Sequence, residues 1–253
     1  MTNIKPVTHT YNQLSAKYYN LVKPGAFAEE ISFYQQILKE TTGPYLDAMC
    51  GSGRLLVPLL SMGYDIEGMD YSSAMLGYCR ENASIKGFAP ALYQQSIEDM
   101  ALEKKYELIF IIGGSFQLIY PREAAIKALH AAKNHLIEGG KLYIDTFIPW
   151  ELLYEDGKEE NFLNEVHDED GTSLKLETYS YTHRQKQHFI SHNKYTKLRK
   201  GKVIQSEKEV MPVLWYYHYE TILLLESVGF KNVRVFDTKI GQHPELTVYE
   251  AIK

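Results

Sequence analysis

An α/β fold is predicted for this chain: a doubly wound, mostly parallel sheet that carries an antiparallel β insertion. Three observations predict it. Short apolar runs alternate with segments of helical period from about residue 45 to about 148. The run Tyr106–Ile112 is apolar throughout, as a strand buried on both faces requires. From about 151 to 212 the apolar period falls to two, with Leu174, Leu176, Thr178 and Ser180 alternating with Lys175, Glu177, Tyr179 and Tyr181. The length, 253 residues, suits one α/β domain with an insertion.

The elements follow in order. Two helices are expected over 9–22 and 28–39; in the second, Ile31, Tyr34, Ile37 and Leu38 recur at helical spacing before Thr41-Thr42-Gly43-Pro44 stops it. A first strand begins at Tyr45 and ends in an acid, and two glycines lead into a Leu-rich helix. Pro58 inside that helix should remove one hydrogen bond and kink it. Tyr64–Asp70 reads as a second strand ending in an acid, with Ser72 as the next helix cap. Ala91–Gln95 is the third strand and Tyr106–Ile112 the fourth. The helix from Arg122 places Ile126, Leu129 and Leu136 on one side and should end at Gly139-Gly140. The insertion reads as three or four strands, with hairpin turns at Asp170-Gly171 and Lys200-Gly201, and it would roof a site, supply a homodimer surface, or both. A helix over 217–228, stopped by Gly229, returns the chain to strands near 231–238 and 246–252. Residues 1–150 and 213–253 thus form one domain, and 151–212 the insertion.

Composition narrows the function. A net charge of −5 and a pI near 6.0 disfavour a nucleic-acid footprint, which wants a basic face. The basic run Lys194–Lys202, interleaved with aromatic and polar residues, reads as a solvated hairpin tip before an RNA contact. Neither a signal core after Met1 nor an apolar run of membrane-spanning length is visible. Cys50 and Cys79 offer no disulfide framework, so a reducing cytoplasm is the expected compartment. His188 and His192 would share a strand face, but no Cys or Glu partner at fixed spacing accompanies them, so no metal is expected.

The segment Tyr45–Arg54, Y-L-D-A-M-C-G-S-G-R, is a strand, a glycine loop and a helix entrance, an arrangement that brings backbone N–H groups close to a nucleotide-like ligand. A dinucleotide site needs a third glycine three residues past Gly53, where Leu56 stands. Asp47 at the strand end would repel a pyrophosphate and suits a ligand with an ammonium group. S-adenosylmethionine (SAM) has an ammonium and no phosphate. Asp70, one helix and one strand later, is placed to accept from two ribose hydroxyls; the plain alternative is a helix-start acid beside Ser72.

The stretch GPYLDAMCGSGRLLVPLLSMGYDIEGMDYSSAML resembles the first two motifs of the class I SAM-dependent methyltransferases. YELIFIIGGSFQLI resembles their fourth strand and the loop over the methyl group, LIEGGKLYIDTF the fifth strand, and ETILLLESVGF the helix before the sixth. YYNLV and EEISFYQQIL resemble a lead-in of bacterial small-molecule members. The resemblance implies a seven-stranded Rossmann-like sheet, SAM as cofactor, S-adenosylhomocysteine (SAH) as product and a small-molecule acceptor. AFAEEI and the return at 213–228 are similar to amino-sugar N-methyltransferases with a β insertion, which implies an amine. Two positions differ from the family: Met49 replaces a small residue, and Ser96 replaces an acid that accepts from adenine. Those departures keep a SAM-binding protein without catalysis as the rival of another class; an RNA or protein methyltransferase is the rival among enzymes.

Site residues are expected accordingly. Asp47 meets the ammonium; Ala48, Met49, Gly51 and Gly53 line the methionine and ribose; Asp70 takes the ribose hydroxyls. Tyr71 and Met75 cover adenine, Ser96 and Ile97 meet its edge, and Gly113 with Gly114 passes beneath the sulfonium. Tyr18, with Tyr11 and Tyr19, is expected over the methionine end, and Lys23 near the carboxylate. For the acceptor the candidates are Ser115, Phe116, Gln117, Phe147, Trp150 and Trp215, with His218 and Tyr217 as the groups to handle a proton. Met75 and Ile97 are equally well read as core residues, and His218 as a structural or exposed histidine.

Overall fold

The structure, a computed structural model, describes residues 11–154, 156–236 and 246–253. Helices α1 (Gln13–Val22) and α2 (Ala28–Leu38) lead into β1 (Tyr45–Ala48). Then come α3 (Leu56–Ser61), β2 (Ile66–Asp70), α4 (Ser73–Ile85), β3 (Leu92–Gln94), β4 (Tyr106–Ile111), α5 (Arg122–His135) and β5 (Leu136–Thr146). Four long strands follow, β6 (Glu159–His167), β7 (Thr172–His183), β8 (His188–Arg199) and β9 (Lys202–Leu214). Helix α6 (His218–Ser227) returns the chain to β10 (Lys231–Phe236) and β11 (Thr247–Ile252).

The seven-stranded sheet runs in the order β10-β11-β5-β4-β1-β2-β3, and β11 is antiparallel to both its neighbours. Alternation sends its side chains to two layers. Leu46, Ile109 and Ile111 pack with the α5 and α6 residues Ala125, Ala128, Leu129 and Leu225. Tyr45, Leu108 and Phe110 pack with Tyr34 of α2, Leu56 of α3 and Cys79 of α4. The second sheet, β6-β7-β8-β9, is an antiparallel meander, with turns at the two expected glycines. Its buried Leu174 and Leu176 form a small core with Leu14 and Tyr18 of α1.

Several expectations need correction. Helix α5 stops at His135, and Leu136 already pairs with Tyr106 in β5, so Gly139 and Gly140 lie inside a strand rather than at a helix end. Ile126 is exposed because small alanines let the helix approach the sheet on its other side. Pro58 imposes no evident cost: α3 starts at Leu56, and the Arg54 carbonyl that a residue-58 N–H would have reached accepts from Ala26 N at 3.1 Å. Residues 9–10 and 237–238, the outer ends of two expected elements, lie outside the described residues.

Gly53 carries the close approach of α4 to the glycine loop. Its φ is +80°, and a Cβ there would stand 2.7 Å from Cys79 Sγ and 3.0 Å from a Val57 methyl. Cys79 is fully buried and cannot retreat. Gly53→Ala is therefore expected to cost about 2–4 kcal/mol, left-handed strain plus overpacking. Urea unfolding checks this; a loss below about 1 kcal/mol would contradict the packing argument.

Candidate active site

The sheet order reverses direction between β4 and β1, so a crevice opens past the carboxyl ends of these strands. A cavity of about 540 Å³ occupies it. On the side of β1 to β3, Asp47, Met49 and Gly51 line it, followed by Asp70, Tyr71, Met75, Ser96 and Ile97. Gly113, Ser115 and Phe147 line the side of β4 and β5. These eleven expected residues are brought together.

Asp70 ends β2 and is 7% exposed. One carboxylate oxygen accepts from Gly51 N at 2.9 Å and the other from Ser72 N at 2.8 Å, which ties the glycine loop to the start of α4. Burial pushes its pKa up to about 6, against the lowering by these backbone donors. Asp47 is 2% exposed and has no hydrogen-bond donor among the described residues. Burial raises it to about 8, with Arg54 opposing and Asp70 and Glu30 adding to the rise. Arg54 is held by both oxygens of Glu30 on α2. Lys23, at the mouth, is held below its ordinary range by the protein packed around it and then by Arg54.

Met49 stands in the left-handed region at φ +67°, a position that glycine favours, while its side chain packs against the core beneath the loop. The loop after β4 is fixed from below. Gly113 N and Gly114 N, at φ +72° and +74°, donate to the two oxygens of Asp145 at 2.8 and 2.6 Å. Burial raises Asp145 to about 7.

Nine expected residues are not on the cavity wall. Tyr18 faces the insertion, where its ring meets Tyr195 at 5.6 Å and its hydroxyl accepts from Asn164 at 2.6 Å. Its place over the cavity is taken by Tyr11 and Tyr19, whose rings meet edge to face at 5.6 Å. Ala48 points into the core, and Gly53 serves packing. Phe116 is buried against Tyr216 rather than open to a ligand. Trp215 is buried, and Trp150 stands out at 47% exposure. Tyr217 and His218 begin α6 beyond the buried segment Leu214–Tyr216, and His218 contacts the Tyr249 hydroxyl at 3.4 Å. Neither reaches the cavity. Gln117, also absent from the wall, clasps it: its Nε2 donates to the Phe147 and Leu214 carbonyls, and its Oε1 accepts from Phe147 N.

The sequence reading missed the roof. Met211, Pro212 and Val213 of β9 line the cavity. Two carboxylates of the same strand anchor the N-terminal segment: Glu209 accepts from Tyr11 N, and Glu207 from Leu14 N, Ser15 N and the Ser15 hydroxyl. The Tyr11 carbonyl in turn accepts from Ser72 Oγ at 2.6 Å. Asp145, Arg54 and Tyr120 were missed as well; behind Tyr120 the buried His188 ring stands at 5.8 Å, held down to about pKa 4 by burial and His183. The basic hairpin is neutralised in part, with Lys194 on Glu177 and Lys197 on Asp170. Among the described residues no cluster of metal-ligand side chains exists, and no helix is long and apolar enough to cross a membrane.

A family model described as a methyltransferase domain matches residues 46–140. The fold is shared with solved structures at low identity. The CcbJ methyltransferase from Streptomyces caelestis is 18% identical over 96% of this chain and 97% of its own, with a TM-score of 0.74. The sugar N-methyltransferase KedS8 from a Streptoalloteichus species is 19% identical over 100% and 98%, at 0.73. A SAM-dependent methyltransferase from Clostridium acetobutylicum is 20% identical over 93% and 96%, at 0.71. No curated protein matches the chain by sequence.

Proposed function

We propose that this chain, a SAM-dependent methyltransferase by the domain at residues 46–140 and by its fold, methylates an amine nitrogen of a small molecule. One observation carries the cofactor: two buried carboxylates, Asp47 and Asp70, stand at adjacent strand ends with Gly51 between them, and nothing lies within 4 Å of where a Gly51 Cβ would be. An acid raised to about 8 by burial, with no hydrogen-bond donor among the described residues, fits an ammonium. Asp70 is placed to hold a ribose, and Ser96 and Ile97 the adenine edge. When bound, SAM would supply an electrophilic sulfonium methyl to which a nitrogen lone pair forms the new N–C bond, the C–S electrons leaving on the sulfur of SAH and the nitrogen afterwards losing a proton to water.

The chain's own part is to position and to exclude water. Asp145 holds the Gly113–Gly114 loop beside the reaction space, while Tyr11, Tyr19 and β9 cover it. The amine acceptor rests on likeness to sugar and glycopeptide N-methyltransferases of 16–19% identity. Two buried free thiols suit a reducing cytoplasm.

The test incubates the protein with methyl-labelled SAM and a mixture of primary and secondary amines. Label is expected in an N-methyl product, with SAH accumulating in equal amount. SAM bound without turnover on any amine, or label in a hydroxyl product alone, would overturn the amine assignment.

A further inference from the structure

The cavity has two chemically different halves. The half built by β1 to β3 holds its acids, Asp47, Asp70 and Glu98, and its cations, Lys23 and Arg54, lie at the α1–β1 end. The half built by the loop after β4, Phe147 and β9 is different. Its side chains are Leu118, Ile119, Phe147, Met211, Pro212 and Val213, with Ser115 and Tyr120 the ones among the described residues that carry an oxygen. Ser115 spends its hydroxyl on the Ile112 carbonyl at 2.7 Å. Among the described residues no Lys or His of this half reaches the wall; Arg54, whose Nη2 stands 3.1 Å from where a Gly113 Cβ would be, is spent on both oxygens of Glu30, and Arg122 is turned away onto Glu220 and the Tyr216 ring.

A phosphate or carboxylate brought into a water-excluding site needs a cation or several N–H donors. Among the described residues this half provides none that is uncommitted: Arg54 beside Gly113 is held by Glu30, Gly113 N and Gly114 N are taken by Asp145, and His188 lies behind Tyr120 and stays neutral. Resting on the methyltransferase reading above, we infer that the acceptor is an amine on an apolar or aromatic body that bears no phosphate or carboxylate. Amino acids and nucleotide-linked amino sugars are thereby excluded. The same apolar wall accounts for the lack of a base on it. Desolvation lowers the pKa of an entering ammonium, so its proton leaves to water and the nitrogen arrives with its lone pair free. Tyr120 is the polar group that remains to orient it.

The experiment titrates SAH-saturated protein by calorimetry with phenethylamine, tryptamine and cyclohexylamine, then with phenylalanine and a nucleoside-diphosphate-linked amino sugar. The apolar amines are expected to bind at least about tenfold more tightly than the acid-bearing ones, because an unpaired buried acid is strongly disfavoured. Met211→Lys, at a half-buried position of β9, adds a cation and should shift the preference toward the acid-bearing amines by about tenfold or more, with SAH affinity retained as the check that the variant is folded. If SAH binds and the acid-bearing amines match the apolar ones, or no apolar amine binds, the inference is overturned and the donor assignment stands. If SAH itself does not bind, the donor assignment falls and the inference falls with it.

Discussion

Asp70→Ala is expected to raise the Kd for SAM by about a hundredfold or more, the loss of two hydrogen bonds to an ionised acceptor at about 1.5–3 kcal/mol each. The carboxylate is buried and already fixed by Gly51 N and Ser72 N, so in the proposed role it would meet a ribose without reorganising. Its removal also leaves those two N–H groups without their acceptor, and some stability is lost. Asp70→Asn separates the effects, because the amide oxygen keeps one backbone bond while the charge disappears. Calorimetry with SAM decides: a Kd within about threefold of the parent in Asp70→Ala would show that the β2 acid is a helix-start residue alone.

The second large effect is a pH dependence with opposite signs for the empty and the loaded protein. Asp47, Asp70 and Asp145 are raised by burial to about 8, 6 and 7. Each binds its proton more tightly folded than unfolded, where a carboxyl titrates near 4. Their contribution is therefore complete below about pH 4 and is lost as pH climbs through 6 to 8. The pairs that depress Glu67 and Asp170 act in the other direction, but only in acid, below the ordinary carboxylate range. The empty protein should melt roughly 5–10 °C lower at pH 8.5 than at pH 6. SAM affinity should rise over the same interval by up to about tenfold per pH unit, since the ammonium draws the proton off Asp47. Asp47→Asn should flatten that slope, and an unchanged slope in the variant would remove Asp47 from the ammonium site.

Much of the fold was legible because the parallel strands β1, β2 and β4 are buried on both faces and the helices on one, which writes two distinct periods into the chain. That Asp47, Gly51 and Asp70 would line one crevice could be expected because strand-end position is a local property. The roof could not. Met211, Pro212 and Val213 read as one more stretch of β strand, and nothing near them in sequence says that they line the crevice or that Glu209 of the same strand holds residue 11. Tyr18 and Tyr19 differ by one helical step, yet one faces the insertion and the other the cavity; helical period alone does not rank neighbouring tyrosines. Tyr217 and His218 lie off the cavity wall for a related reason: the buried segment before them carries the chain past the cavity before α6 begins. Leu136 was misassigned because an apolar residue at helical spacing also suits the first position of a strand, and pairing with Tyr106 decided it.

The double hold on Tyr11, by Ser72 at 61 positions and Glu209 at 198 positions along the chain, has a consequence for assembly. During synthesis the sheet strands β1 to β5 emerge long before β9, so the cofactor crevice is formed while its cover is still missing. Only when residues beyond 207 have docked are α1 and Tyr11 anchored from that side. Tight cofactor retention would thus report that the chain has folded as far as β9, and closures of such long sequence separation form late, after the local contacts that precede them.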